Sequence, residues 1–90
     1  MKIMNLNQAV FTTKNILQNN ERINLVVHDQ DDEWQFLDGN DVSMEDIMIV
    51  ALKTILEYDD TIKEILNLDK NMYAVRGETS RWEIFPISED

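Results

Sequence analysis

The clearest pattern of apolar and polar positions lies in INLVVHDQDDEWQFLD, Ile23 to Asp38, where two apolar runs flank an acidic stretch. Side chains alternate along a strand, so the pattern predicts a β-hairpin closed by a turn. Pairing His28 with Glu33 sets Val27 against Trp34, Leu25 against Phe36 and Ile23 against Asp38. That register gathers Leu25, Val27, Trp34 and Phe36 into one apolar patch, turns His28 outward and leaves Asp29, Gln30, Asp31 and Asp32 as the loop. Asn71 to Pro86 repeats the plan: NMYAVR and RWEIFP flank Gly77-Glu78-Thr79-Ser80. Pairing Arg76 with Arg81 sets Val75 against Trp82 and Tyr73 against Ile84. Pro86 ends the last strand or marks it as an edge, and Ile87 to Asp90 is expected to fray.

Between and before the hairpins the spacing changes. Gln8 to Thr12 is a short apolar run that predicts an edge strand. Thr12 or Thr13 caps a helix over Lys14 to Asn19 with Ile16 and Leu17 inward, and Asn19-Asn20 stops it. Asp38-Gly39-Asn40-Asp41 is a turn signal. Ser43 stands three before Asp46, close to a capping box. From Met44 the apolar residues recur at helical spacing, yet Ile47 to Val50 is apolar all round. The reading adopted is a turn of helix, an extended piece, then a helix from about Ala51 to Tyr58; one helix across the span is the alternative. Asp59-Asp60 breaks the run. Thr61 with Glu64 predicts a box-capped short helix burying Ile62, Ile65 and Leu66.

These elements predict a single α+β domain over residues 1–90: an antiparallel sheet built from the two Trp-bearing hairpins plus the N-terminal strand, with two or three short helices on one face. Trp34 and Trp82 are then core residues.

Charge narrows the partners. The formal net charge of the 90 residues is −10. Nucleic acid and anionic lipid need basic patches, so both are poor partners, and a basic protein is a better one. Between Asp29 and Asp46 stand Asp29, Asp31, Asp32, Glu33, Asp38, Asp41, Glu45 and Asp46, with no Lys or Arg among them. The bland reading of such a run is a solvated surface. There is no cysteine, which removes thiolate chemistry and suits a cytoplasmic chain. No continuous apolar run suggests a signal peptide or a membrane span.

Candidate chemistry is sparse. Asp29, Asp31 and Glu33 alternate as in a calcium loop, but the sixth position is Trp34 instead of Gly and the twelfth is Asn40 instead of Glu. His28 is the only histidine, too few nitrogens for zinc, and reads as a surface residue. Carboxylates abound, but no pair is singled out by a buried context. Both glycines sit in turns, so no phosphate loop is present. Arg76 and Arg81, placed face to face, would need intervening acids and read as an ion-pair cluster. No catalytic residue, cofactor or metal is expected, and the chain does not read as an enzyme.

The order of motifs adds a resemblance. DDEWQFLDG, an acidic spacer, IVALKTILEYDDTIKEILNL and AVRGETSRW together resemble a bacterial domain family of unknown function grouped with the immunity proteins of polymorphic toxin systems, immunity class thirty-three. The shared frame falls on Asp32, Trp34, Phe36, Gly39, Leu52, Ile55, Leu56, Asp59, Thr61, Ala74, Arg76 and Trp82, across roughly Val10 to Phe85. The chain departs from it at Asp60, where the family often has Pro, and at Lys70-Asn71, where a Pro-Gly turn is common. The resemblance implies a cytoplasmic antidote that binds a toxin domain and blocks it, without catalytic residues. It also turns the acids Asp29, Asp31, Asp32, Glu33, Asp38 and Asp41 into candidate contacts with a basic toxin, such as a nuclease. The alternative expectation is a regulatory or protein-binding module unrelated to toxins, able to form a homodimer through an apolar sheet edge. A small hydrolase using paired acids is the third reading.

Overall fold

The computed structural model describes residues 5–78 and 81–87. The expected tail beyond Ile87 and the tip of the second hairpin at Thr79 and Ser80 lie outside them. Six strands and two α-helices follow in the order β1 (Ala9–Thr13), α1 (Lys14–Asn19), β2 (Leu25–His28), β3 (Trp34–Leu37), β4 (Ile47–Ala51), α2 (Leu52–Tyr58), β5 (Met72–Arg76) and β6 (Trp82–Pro86). Short 3-10 turns occupy Met44–Asp46 and Asp60–Ile65. The fold is α+β, as expected.

Local chemistry accounts for the boundaries. The Thr13 side chain accepts from the Ile16 N–H and starts α1, and Asn20 ends it at φ 58°. Asparagine tolerates that left-handed conformation, as Asn71 does at φ 63° before β5. Gly39 stands at φ 92° where β3 leaves the sheet, a conformation that favours glycine. The run after Met44 divides as read: a 3-10 turn, the extended β4, then α2. Two expected caps differ. Ser43 makes no side-chain cap bond, and Asp46 N–H bonds to the Ser43 carbonyl instead. The cap of the Asp60–Ile65 turn is Asp59, which accepts from Thr61 N–H, so Thr61 is capped rather than capping.

The strands form one sheet in the order β4-β1-β3-β2-β5-β6. The two hairpins join through an antiparallel β2–β5 pair. β1 is interior, not an edge: it runs parallel to β3 and antiparallel to β4. The sheet is therefore mixed, and the edges are β4 and β6.

Both hairpins differ from the expected register by one residue. His28 opposes Trp34, Val27 opposes Gln35, Val26 opposes Phe36 and Leu25 opposes Leu37. Arg76 likewise opposes Trp82, Val75 opposes Glu83 and Tyr73 opposes Phe85. A one-residue shift exchanges the faces. Val26, His28, Trp34, Phe36, Ala74 and Arg76 point into the core, while Leu25, Val27 and Val75 point away from it. His28 is thus a buried residue, 1% exposed, and not a surface one. The physical reason is that Leu25, Val26 and Val27 are all apolar, so alternation along β2 does not choose a register and the loop chemistry decides.

The helical side covers one face. Ile16, Ile23, Leu52, Ile55, Ile62, Ile65 and Leu68 pack with Val10, Val26, Trp34, Phe36 and Ala74 into one buried cluster, with Leu17, Leu66 and Trp82 partly buried against it. Among the described residues no α-helix packs on the opposite face of the sheet.

Candidate functional site

The acidic turn is built by its own carboxylates. Asp29 Oδ1 accepts from the N–H groups of Asp31 and Glu33, each at 2.9 Å. Asp32 adopts φ 66° and places Oδ1 2.6 Å from His28 Nε2. The other ring nitrogen, Nδ1, lies 2.7 Å from the Leu68 carbonyl. Both partners are acceptors, so forming both bonds together requires a hydrogen on each nitrogen. The ring also stacks on Trp34 at 4.0 Å between centroids, with 13° between planes. His28 therefore ties the hairpin loop to the segment that follows the helices.

This geometry sorts the candidate contact residues. Asp29 and Asp32 use their carboxylates to hold the turn, while Asp31 and Glu33 are exposed beside them. Asp38 stands at the other end of β3 and is buried, its Oδ1 accepting from Asn40 N–H at 3.0 Å. Asp41 is exposed beyond it. The six acids thus fall into two groups, at the two ends of a four-residue strand about 13 Å long.

A second cluster joins four residues of the motif frame: Asp59, Thr61, Arg76 and Trp82. Arg76 does not face Arg81. It turns inward, with Nη2 2.7 Å from Asp59 Oδ2 and Nη1 2.8 Å from Thr61 Oγ1. Its Nε and Nη2 also donate to the Ile23 carbonyl at 3.1 and 2.6 Å. The guanidinium carbon sits 4.5 Å from the Trp82 ring centroid, in cation–π range. In both hairpins the tryptophan therefore stacks on the nitrogen-bearing side chain opposite it.

Burial pushes the Asp59 carboxyl upward, but the hydrogen bonds from Arg76 and Thr61 and the Arg76 charge outweigh it and hold the group below its ordinary value. The Tyr58 hydroxyl, which donates to the Glu21 carbonyl, is raised by burial and by the nearby Glu21 and Asp59. A depressed folded value means that Asp59 contributes stability above the unfolded carboxylate value near ~4, and that this contribution is lost as pH falls through the folded value. In acid unfolding monitored by circular dichroism, the wild type is expected to lose stability below about pH 4 more steeply than Asp59→Asn. Parallel curves would contradict this assignment.

The third feature is the uncovered sheet face. Strand registers place Ile49, Phe11, Gln35, Val27, Tyr73 and Phe85 side by side in one row across all six strands. A second row sets Leu37, Leu25, Val75 and Glu83 in sequence. Ile49 is 65% exposed and Phe85 39%. No Lys or Arg stands on these rows. A groove of about 310 Å³ crosses the face between Phe11, Gln35, Leu37, Val42 and Ile47, with Glu33 at its border. Thus Glu33 and Glu83 flank a surface that is otherwise apolar or neutral.

Compared with protein-family models, with curated proteins and with solved structures, the chain matches none. Among the described residues no three His, Asp or Glu side chains converge as a metal site, and no helix is long and apolar enough to cross a membrane.

The residues of the open face were not among the expected contacts. A signal for them exists in the sequence. LVV in β2 and MYAV in β5 are apolar at successive positions, whereas an antiparallel strand with one solvated face alternates.

Proposed function

We propose that this chain is a cytoplasmic, immunity-type binding protein that blocks a bacterial toxin domain by occlusion. The observation that carries the reading is the open sheet face: two largely apolar rows, broken only by Gln35 and ending on Glu83, with no cation on them and carboxylates at the border. Large uncovered apolar surfaces rimmed by polar groups mark interaction sites. A net charge of −10 favours a basic partner, such as a nuclease with a cationic cleft, through faster encounter. In this reading the apolar rows supply the tight contact, the acids guide approach, and the chain performs no catalysis.

Co-expression with the product of the adjacent open reading frame tests it. Growth is expected to stop with that product alone and to be restored with both. Restored growth that survives a Val27→Lys, Tyr73→Lys double substitution on the open face would count against this surface. The electrostatic component calls for the acids that do not hold the turn. Neutralising Asp31, Glu33, Asp41 and Glu83 together is expected to slow association at low salt by roughly tenfold and to flatten its salt dependence. An unchanged association rate would remove the steering role.

A further inference from the structure

The two edges of the sheet differ in kind. β6 carries Glu83 at its second position and closes on Pro86, and a charge and a residue without an N–H both discourage further pairing. β4 reads Ile47-Met48-Ile49-Val50-Ala51, with no charge, proline or glycine. Exposed large apolar side chains gather around it: Met44 at 87%, Ile49 at 65% and Ile47 at 40%. Among the described residues no strand pairs the outer side of β4, and with its apolar flank this is the combination that recruits another strand.

We propose that β4 pairs with β4 of a second copy, antiparallel and centred on Ile49, about a two-fold axis normal to the sheet. The choice of occupant follows from the charges at the strand's ends. Glu45 and Asp46 precede β4, and Lys53 follows it. Antiparallel pairing about the central Ile49 lays the anionic end of each strand beside the cationic end of the other, so the edge is complementary to itself. Ile49 then opposes Ile49, and Ile47 opposes Ala51. The overall charge of −10 works against self-association, but neither β4 nor the neighbouring β1 contains an acid. Both open faces end on the same side of the joined sheet. The inference is independent of which partner that face receives.

Sedimentation equilibrium of the full chain over a concentration series tests the pairing. The expected mass rises with concentration from 10.6 kDa toward twice that value. Ile49→Lys is expected to stay monomeric with an unchanged near-ultraviolet circular dichroism spectrum, since this side chain lies outside the core. Glu45→Lys and Lys53→Glu are each expected to weaken the dimer several-fold, and the two combined to restore it. The proposal is overturned if the wild type is monomeric at every concentration. A dimer indifferent to Ile49→Lys, or a double variant no tighter than either single one, would overturn it equally.

Discussion

Trp34→Ala is expected to lower stability by about 3–5 kcal/mol, as measured by urea unfolding with circular dichroism. A chain of this size has a total of roughly 5–13 kcal/mol to lose, so the substitution should remove a large share of the stability and shift the urea midpoint well down. Three relations make Trp34 the central side chain. It is 1% exposed, it stacks on His28 at 4.0 Å, and it lies 6.0 Å from the parallel Phe36 ring. Removing the indole leaves a cavity between those rings, and His28, still bonded to Leu68 and Asp32, has little freedom to collapse into it. Trp34→Phe should recover more than half of the loss. Trp82→Ala is the internal comparison, since Trp82 is only partly buried in an edge strand. An equal loss at both positions would show that the core is not centred on the first hairpin.

Arg76→Met is expected to destabilise by about 2–4 kcal/mol, although methionine keeps much of the apolar stem. The guanidinium is 5% exposed at its side chain and serves Asp59, Thr61 and the Ile23 carbonyl at once. Deleting it leaves a buried carbonyl without these donors and a carboxylate without its counter-charge, and unmet partners cost more than the bond itself. Asp59 retains access to solvent, 20% at its side chain, which places the estimate below that for a fully buried pair. Combining Arg76→Met with Asp59→Asn should cost less than the sum of the single changes, because the second removes a charge the first had stranded. Additive losses in that cycle would mean the two residues act separately.

Much of the element order was legible, and the reasons are local. Thr13 announces α1 because its hydroxyl is spaced to reach the Ile16 N–H. Asn20 ends the same helix because it tolerates the left-handed region. Ile47 to Val50, apolar at every position, signals an extended piece between a polar turn and an amphipathic helix, and it becomes β4. The failures concern relations between elements. Leu25, Val26 and Val27 are equally apolar, so alternation cannot say which faces inward. The decision rests with Asp29, whose carboxylate bonds the N–H groups of Asp31 and Glu33, and with His28, which needs Leu68 forty residues later. Arg76 turns inward because Asp59 and the Ile23 carbonyl await it, and neither is adjacent in the chain. The parallel β1–β3 pairing depends on the same long-range geometry.

Charge pointed to only part of the candidate contact surface, and its apolar part left its signal in the unbroken apolar runs of β2 and β5. The run from Asp29 to Asp41 pointed to acids, but its members divide between turn-builders such as Asp29 and Asp32, the buried Asp38, and the exposed Asp31, Glu33 and Asp41. The apolar rows beside them arise from six strands that are scattered along the chain and adjacent only in the sheet.

In the proposed function a partner protein seats on the side of the sheet opposite the helices. Methyl nuclear magnetic resonance of labelled chain, titrated with a catalytically inactivated product of the adjacent gene, reads this directly. The methyl signals of Leu25, Val27, Leu37, Ile49 and Val75 are expected to shift or broaden, while those of Ile16, Ile55 and Ile62 under the helices stay in place. Perturbation confined to the helical side, with the five sheet-face residues unmoved in a bound complex, would contradict it.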